Sequence, residues 1–153
     1  MACTPLNDFI KSVEIILPGL RLMGEVIEAC GLKCEVNHLD DNGWQIGCRW
    51  KRDKMSMNLT LDLGGTDEIA WLQLWDKNGD NVGVQAWAKN GEIDWLVMFS
   101  DSVRADSPLF KLEEDIRTLV PEHDRGHGYI DLPNEFLVRE VVNMTAVLFK
   151  RQG

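Results

Sequence analysis

Two absences limit the classes of protein to which this sequence belongs. No apolar run approaches the roughly 20 residues that a membrane-spanning helix needs. The start, MACTPLNDF, also lacks the basic and then apolar order of a secretory signal. The sequence therefore predicts a protein without a membrane span, which is cytoplasmic unless a leader has been removed.

Basic side chains are outnumbered by acidic ones. The 16 lysines and arginines face 25 aspartates and glutamates, which gives a formal net charge of −9. Because a phosphate backbone or an anionic membrane repels such a surface, we expect no direct binding of nucleic acid or membranes. The acidic residues are spread over most loops, which suits solubility alone, and a basic protein partner is the alternative that the charge leaves open.

Cysteine is limited to four positions, Cys3, Cys30, Cys34 and Cys48. In a cytoplasmic protein we expect these thiols to be reduced and to pack as small apolar side chains. The stretch CGLKCEVNH suggests zinc ligands, but Cys34 and His38 are four residues apart on a predicted strand. At strand rise they are roughly 13 Å apart, too far to share one ion. We therefore expect no metal there and no other cofactor.

Apolar residues at helical spacing predict three helices. The first begins at Pro5, is broken or kinked at Pro18, and ends at Gly31. The other two cover 108–119 and 133–150, and a proline opens each of them. These helices lie at the two ends of the chain.

Between the first two helices the apolar pattern alternates, as it does in strands. Six strands are predicted, at 32–39, 44–50, 55–63, 69–75, 82–88 and 93–99. Because no connection is long enough for a crossover helix, neighbouring strands are antiparallel. The predicted fold is a single α+β domain over residues 1–153, with a six-stranded antiparallel meander sheet, an N-terminal kinked helix and two C-terminal helices.

Three predicted corners contain Asn-Gly, at 42–43, 78–79 and 90–91. This pair suits a two-residue loop, or a three-residue loop in which the glycine is left-handed. The two loops differ by one residue of register, which exchanges the faces of the following strand. At the first corner the three-residue loop separates polar from apolar side chains and places Glu35 opposite Arg49. We therefore predict it at all three corners.

With that register, one face of the sheet is aliphatic and the other carries the tryptophans and glutamines of WLQLWDKNGDNVGVQAW, residues 71–87. The predicted partner-binding residues on this second face are Trp71, Gln73, Trp75, Gln85, Trp87 and Trp95. Two interpretations of the face stay open. Either the helices at 108–119 and 133–150 bury it as a further core layer, or part of it is exposed as a pocket or a protein interface.

One stretch, PEHDRGHG at 121–128, offers candidate reactive residues. His123 and His127 have the spacing of the histidines in a zinc-protease helix, with Asp124 at the position of its glutamate. Proline and glycine in the stretch disfavour a helix, and no third ligand is evident. A metal-assisted hydrolase using these residues is an alternative hypothesis, and a small-ligand binder with its pocket between the sheet and the C-terminal helix is another.

The order of an N-terminal helix, an antiparallel sheet and a C-terminal helix, in a small acidic chain, resembles class I type III secretion chaperones. It also resembles toxin-immunity proteins and phage-encoded inhibitors. The chaperones place a helix in mid-sheet, which this sequence does not predict. We predict a non-enzymatic binding protein, a monomer or a homodimer, that sequesters or inhibits a protein partner through the tryptophan face with the acidic loops at its rim.

Overall fold

A computed structural model of the chain describes residues 5–64, 69–120 and 128–152. The helices and strands, in chain order, are α1 Leu6–Ala29, β1 His38–Leu39, β2 Gln45–Lys51, β3 Met55–Asp62, β4 Ile69–Asp76, β5 Asn81–Lys89, β6 Glu92–Phe99, α2 Pro108–Leu119, β7 Tyr129–Asp131 and α3 Glu135–Arg151. The strands form one antiparallel sheet in sequence order. The predicted α+β meander with one N-terminal and two C-terminal helices is confirmed.

The sheet has seven strands rather than the six predicted. The added strand, β7, has only three residues and pairs with β6, so it is too short to show a period of two in the sequence. At the other edge, β1 has two residues where eight were predicted. The side chain of Asn37 explains this, because its amide bonds to both the backbone N–H and the carbonyl of Arg49, at 2.8 and 3.0 Å. A side chain thus takes the place of a backbone ladder.

Helix α1 continues without interruption through Pro18, so the alternative of a break at this position is wrong. A proline inside a helix removes one backbone hydrogen bond. The buried side of the helix nevertheless runs on across it, with Ile16 and Gly19 on either side of Pro18 and Leu22 one turn later. Burial of this side compensates for the lost bond. None of the helices in the described ranges has the length and apolarity required to cross a membrane.

The helices pack on the aliphatic face of the sheet. Helix α1 contacts β3 to β6, α3 lies beside α1 on β3 to β5, and α2 contacts α3 and β5. The most buried strand side chains beneath them are Met57, Ala70, Leu72, Leu74, Val82, Val84, Ala86 and Val97. The interpretation in which α2 and α3 bury the tryptophan face is therefore wrong.

Polar residues explain why α2 and α3 choose the aliphatic face. The opposite face carries Asn58, Gln73 and Gln85 among its tryptophans. Burying an amide without a hydrogen-bond partner costs about 1–3 kcal/mol. Burying the aliphatic face leaves no such amide unpaired on the central strands. One helix about 10 Å wide covers only a strip of that face. The C-terminal helices complete that cover.

The three Asn-Gly corners use different loops. At the second, Asp76 N–H donates to the Asp80 carbonyl at 2.9 Å and Gly79 has φ of 91°. This is the predicted three-residue loop. At the first, Asp40 N–H donates to the Gln45 carbonyl, so residues 41–44 form a four-residue loop. The Asp40 carboxylate widens that corner by accepting a bond from the Gln45 N–H at 3.0 Å.

The third corner is a two-residue loop, in which Lys89 pairs with Glu92 and both Asn90 and Gly91 have positive φ, 52° and 80°. The prediction of three-residue loops is thus wrong at the first and third corners. The predicted pairing of Glu35 with Arg49 is also absent, because the four-residue loop shifts the register by one residue and β1 ends before Glu35; Glu35 bonds to Lys33 at 2.8 Å. At the third corner the change in register exchanges the two faces of β6.

Two glycines on α1 give opposite expectations for substitution. A Cβ on Gly24 would meet only Leu59, at 3.9 Å, so we expect Gly24→Ala to raise the free energy of unfolding by about 0.5–1 kcal/mol. A Cβ on Gly19 would lie 3.1 Å from the Trp95 ring. Leucine at position 19 should therefore cost about 1–3 kcal/mol through overpacking. Urea denaturation followed by circular dichroism measures both, and equal effects would contradict the packing of α1 on Trp95.

Candidate functional site

The face of the sheet turned away from the helices is called the outer face. The side chains on it are Gln45, Arg49, Lys51, Ser56, Asn58, Thr60, Asp62, Ile69, Trp71, Gln73, Trp75, Asn81, Gln85, Trp87, Lys89, Glu92, Asp94, Leu96, Met98, Tyr129 and Asp131. No helix in the described part of the chain lies over them. The outer face is therefore the candidate functional site.

Tryptophans and glutamines form the centre of the outer face. Trp71 lies opposite Gln85 on the next strand, and Gln73 lies opposite Gly83. Because Gly83 has no side chain, the Gln73 chain passes closely over it, and a Cβ there would be 3.2 Å from Gln73 Cγ. The indole N–H of Trp87 donates to Gln85 Oε1 at 2.9 Å, which orients that amide.

Five of the six predicted partner-binding residues lie together on this face, namely Trp71, Gln73, Trp75, Gln85 and Trp87. The placement of Trp95 with them is wrong. Trp95 lies opposite Ala86, is only 7% exposed, and packs its ring under Gly19 of α1. The two-residue loop at the third corner causes this, since it turns Trp95 towards the helices.

Because the two faces of β6 are exchanged, Leu96 and Met98 lie on the outer face. Leu96 lies opposite Gln85, and Met98, which is 40% exposed, lies opposite Gly83. The predicted three-residue loop would have placed both on the aliphatic face. One signal favours the observed register: the two-residue loop places Lys89 directly opposite Glu92, and such oppositely charged pairs stabilise neighbouring strands.

Of the depressions lined by described residues, one at Trp87 and one at Trp75 open onto the outer face. The first, of about 470 Å³, is lined by Trp87, Ala88, Lys89, Asn90, Asp94 and Leu96. The second, of about 450 Å³, is lined by Arg49, Lys51, Ser56, Asn58, Trp75, Asp76, Lys77 and Gly79. The depression at Trp87 has one basic and one acidic neighbour, Lys89 and Asp94, whereas basic side chains outnumber the single acidic one at Trp75.

Charge is divided between two ends of the outer face. Arg49, Lys51 and Lys77 surround the depression at Trp75 and are called the basic end. The acidic end consists of Asp94 and Asp131, which lie on β6 and β7, whereas Asp62 lies apart from them on β3. Nearby, Lys89 and Glu92 oppose each other at the third corner and offset each other's charge. The face thus joins an apolar centre to two ends of opposite sign.

The candidate metal-binding residues His123, Asp124 and His127 lie outside the described residues. Within the described ranges, no three histidine, cysteine, aspartate or glutamate side chains are grouped closely enough to hold a metal ion.

The described cysteines are reduced, and their pKa values are raised. Burial raises the pKa of Cys34 to about 12, and the neighbouring Cys48 thiol and Glu28 carboxylate act in the same direction. Burial also raises the pKa of Cys30, although Lys150 opposes that shift. These thiols are protonated at neutral pH, whereas a nucleophilic cysteine needs its thiolate.

In comparisons with known proteins, no protein-family model, no curated protein and no solved structure matches the chain. The fold defines its class: an α+β protein with an N-terminal helix, a seven-stranded antiparallel meander and two C-terminal helices. A function has to be argued from the chemistry of the outer face itself.

Proposed function

We propose that the protein is a non-enzymatic binding protein that sequesters or inhibits a protein partner through its outer face. One observation carries the proposal. Trp71, Trp75 and Trp87 lie half-buried beside two glutamines, on a sheet face over which no described helix packs. Large aromatic side chains in such a position are typical of residues that become buried when a partner binds.

The chemistry of the outer face suits a protein more than a small solute. Tryptophan is enriched among the residues that dominate binding energy, and its truncation in such places costs about 2 kcal/mol or more. The amides of Gln73 and Gln85 supply both donors and acceptors for directed hydrogen bonds. Because these residues lie on strands, their backbone is already ordered, and the loss of conformational entropy on binding is small.

Charge gives the partner a further property. The acidic end of the outer face and the net charge of −9 attract a basic surface and accelerate the encounter with it. The same charge argues against nucleic acid as a direct ligand. We therefore propose a protein partner with a basic patch beside an apolar one.

Capture from a lysate of the source cells tests this proposal. We expect the wild-type chain to retain a partner at stoichiometric level and the Trp75→Ala/Trp87→Ala variant to lose it, because both indoles belong to the contact. Phe136→Ala is a matched control, since Phe136 is 66% exposed on α3, an element of the helix side. Capture that survives the double substitution, or no capture at all, would contradict the proposal.

Small-ligand binding is a second candidate, favoured by the depressions at Trp87 and Trp75. Their volumes of about 470 and 450 Å³ fall in the range of ligand pockets. Their position on the outer face differs from the predicted one between the sheet and the C-terminal helix. A metabolite that changes tryptophan fluorescence in the wild type, but not in Trp87→Ala or Trp75→Ala, would favour this candidate.

The metal-assisted hydrolase remains an alternative that concerns His123, Asp124 and His127. Elemental analysis of the purified protein distinguishes it from a binding protein. Zinc or manganese at one equivalent per chain, lost in the His123→Ala variant, would favour the hydrolase, and metal-free protein that still captures its partner would favour the binding protein.

A further inference from the structure

We propose that a second copy of this chain binds the outer face, which gives a symmetric dimer with the two sheets face to face. The inference rests on the proposed function in one respect, that the outer face is a protein-docking surface. It goes further by naming the occupant of that face in the free protein, which a captured partner would replace. Charge complementarity and the area of the face carry it.

The two ends of the outer face have the arrangement that a two-fold dimer needs. The basic end lies where β2 finishes, at Arg49 and Lys51, and the acidic end lies near the start of β6, at Asp94, and on β7, at Asp131. These ends lie on opposite sides of the central pair Trp71 and Gln85. A two-fold axis in the plane of the face, perpendicular to the line between the ends, places each basic end on the partner's acidic end.

In such a dimer the basic end of each copy contacts the acidic end of the other, so each charge pair is formed twice. Oppositely charged groups at matching positions fix the orientation of the two copies, and other orientations bring like charges together. Sheets that pack face to face use either aligned or nearly perpendicular strands. The diagonal placement of the two ends favours the second arrangement.

The area of the outer face matches a stable interface. The strands β2 to β7, each about 4.8 Å from the next and up to about eight residues long, present roughly 700 Å². Specific interfaces bury about 800 Å² per partner. Apolar side chains also continue from the centre to the β7 edge, because Met98 on β6 and Tyr129 on β7 are 40% and 43% exposed. Aromatic and methionine side chains are enriched in interfaces.

Exchange of charge between the two ends tests the dimer. We expect the wild-type chain to sediment with twice its mass of 17.4 kDa. Arg49→Glu/Lys51→Glu places acid against acid at both contacts, and Asp94→Lys/Asp131→Lys places base against base. Each should raise the dissociation constant by roughly 100-fold or more. In an equimolar mixture of the two variants the charges are again complementary, so a heterodimer should form.

Matched control variants carry the same changes of charge on α1, which lies on the opposite side of the sheet from the outer face. Lys11→Glu/Arg21→Glu and Glu14→Lys/Glu25→Lys alter exposed positions of that helix and should leave the dimer intact. A wild-type chain that is monomeric at every concentration would overturn the inference. A dimer that persists in both reversed variants would also overturn it, because its interface would lie elsewhere.

Footprinting of the wild type covers the case in which a reversed variant does not fold. Protection of Trp71, Trp75 and Trp87 from hydroxyl radicals should increase with protein concentration, while Phe136 on α3 should not change. Rapid oxidation of these three indoles at a concentration where the chain sediments as a dimer would overturn the inference. A monomer whose captured partner is lost in Trp75→Ala/Trp87→Ala would refute the dimer alone, and a dimer that captures nothing would refute the proposed function alone.

Discussion

Replacing Trp95 with alanine should lower the free energy of unfolding by about 3–5 kcal/mol, the cost of removing a large aromatic side chain from a core. Trp95 is 7% exposed, and its ring packs against Gly19 of α1 and lies beside Ala86 of β5. Truncation leaves a cavity between the helix and the sheet that neither backbone fills, because Gly19 has no side chain to move into it. Urea denaturation of the wild type and of Trp95→Ala measures the loss.

Trp87→Ala is the matched control for this prediction. Trp87 is on the outer face, half-buried, and its indole bonds only to Gln85 in the described structure. We expect its truncation to cost about 1 kcal/mol or less, as is usual away from the core, while it removes part of the docking surface. Equal losses of stability in the two variants would contradict the assignment of Trp87 and Trp95 to opposite faces.

Asp76→Ala should lower the free energy of unfolding by about 3 kcal/mol, because several hydrogen bonds to one charged group are lost together. Asp76 is buried at the second corner, where its Oδ1 accepts from the N–H groups of Asn78 and Asp80 at 2.8 and 3.0 Å. Its Oδ2 accepts from the Ser107 hydroxyl at 2.7 Å, and that hydroxyl in turn accepts from Leu109 N–H at 3.1 Å. Asp76 thus ties the β4–β5 corner to the first turn of α2.

A double-mutant cycle with Ser107→Ala tests this coupling. Ser107→Ala alone should cost about 1–2 kcal/mol, since it also removes the cap of α2. The double variant should cost less than the sum of the single ones, because the bond between the two side chains is counted in both. Asp53→Ala, at an exposed corner, is a control that should change little. Additive losses would contradict a direct link between Asp76 and Ser107.

The register of β4 and β5 was predictable from the sequence because each face of these strands has its own chemistry. On β4, Leu72 and Leu74 alternate with Trp71, Gln73 and Trp75. Only one register between β4 and β5 places the aliphatic side chains of both strands on one face and their tryptophans and glutamines on the other. The candidate site follows from that separation. The tryptophans and glutamines at the centre of the outer face, Trp71, Gln73, Trp75, Gln85 and Trp87, are therefore predictable from the sequence.

The register of β6 was not predictable in the same way. Its residues 95–99, WLVMF, are apolar on both faces, so either register buries apolar side chains. The difference between the loops at the third corner then decides where Trp95 lies. Only the charges of Lys89 and Glu92 indicate the two-residue loop, and a single cross-strand pair of this kind contributes roughly 0.2–1 kcal/mol.

The sequence also does not determine on which face of the sheet the C-terminal helices lie. Apolar stripes on 108–119 and 133–150 show that each helix buries one side, but not which face of the sheet it meets. That choice depends on the polar groups Asn58, Gln73 and Gln85, which make the outer face costly to bury. The extent of β1 depends on the two hydrogen bonds of the Asn37 side chain, and β7 depends on its three-residue pairing with β6.

Hydroxyl-radical footprinting at low protein concentration, read residue by residue with mass spectrometry, tests the central assignment most directly. If the outer face is exposed to solvent, oxidation is rapid at Trp71, Trp75 and Trp87 and slow at Trp95, which packs beneath α1. Slow oxidation of all four in the monomer, or rapid oxidation of Trp95, would contradict it.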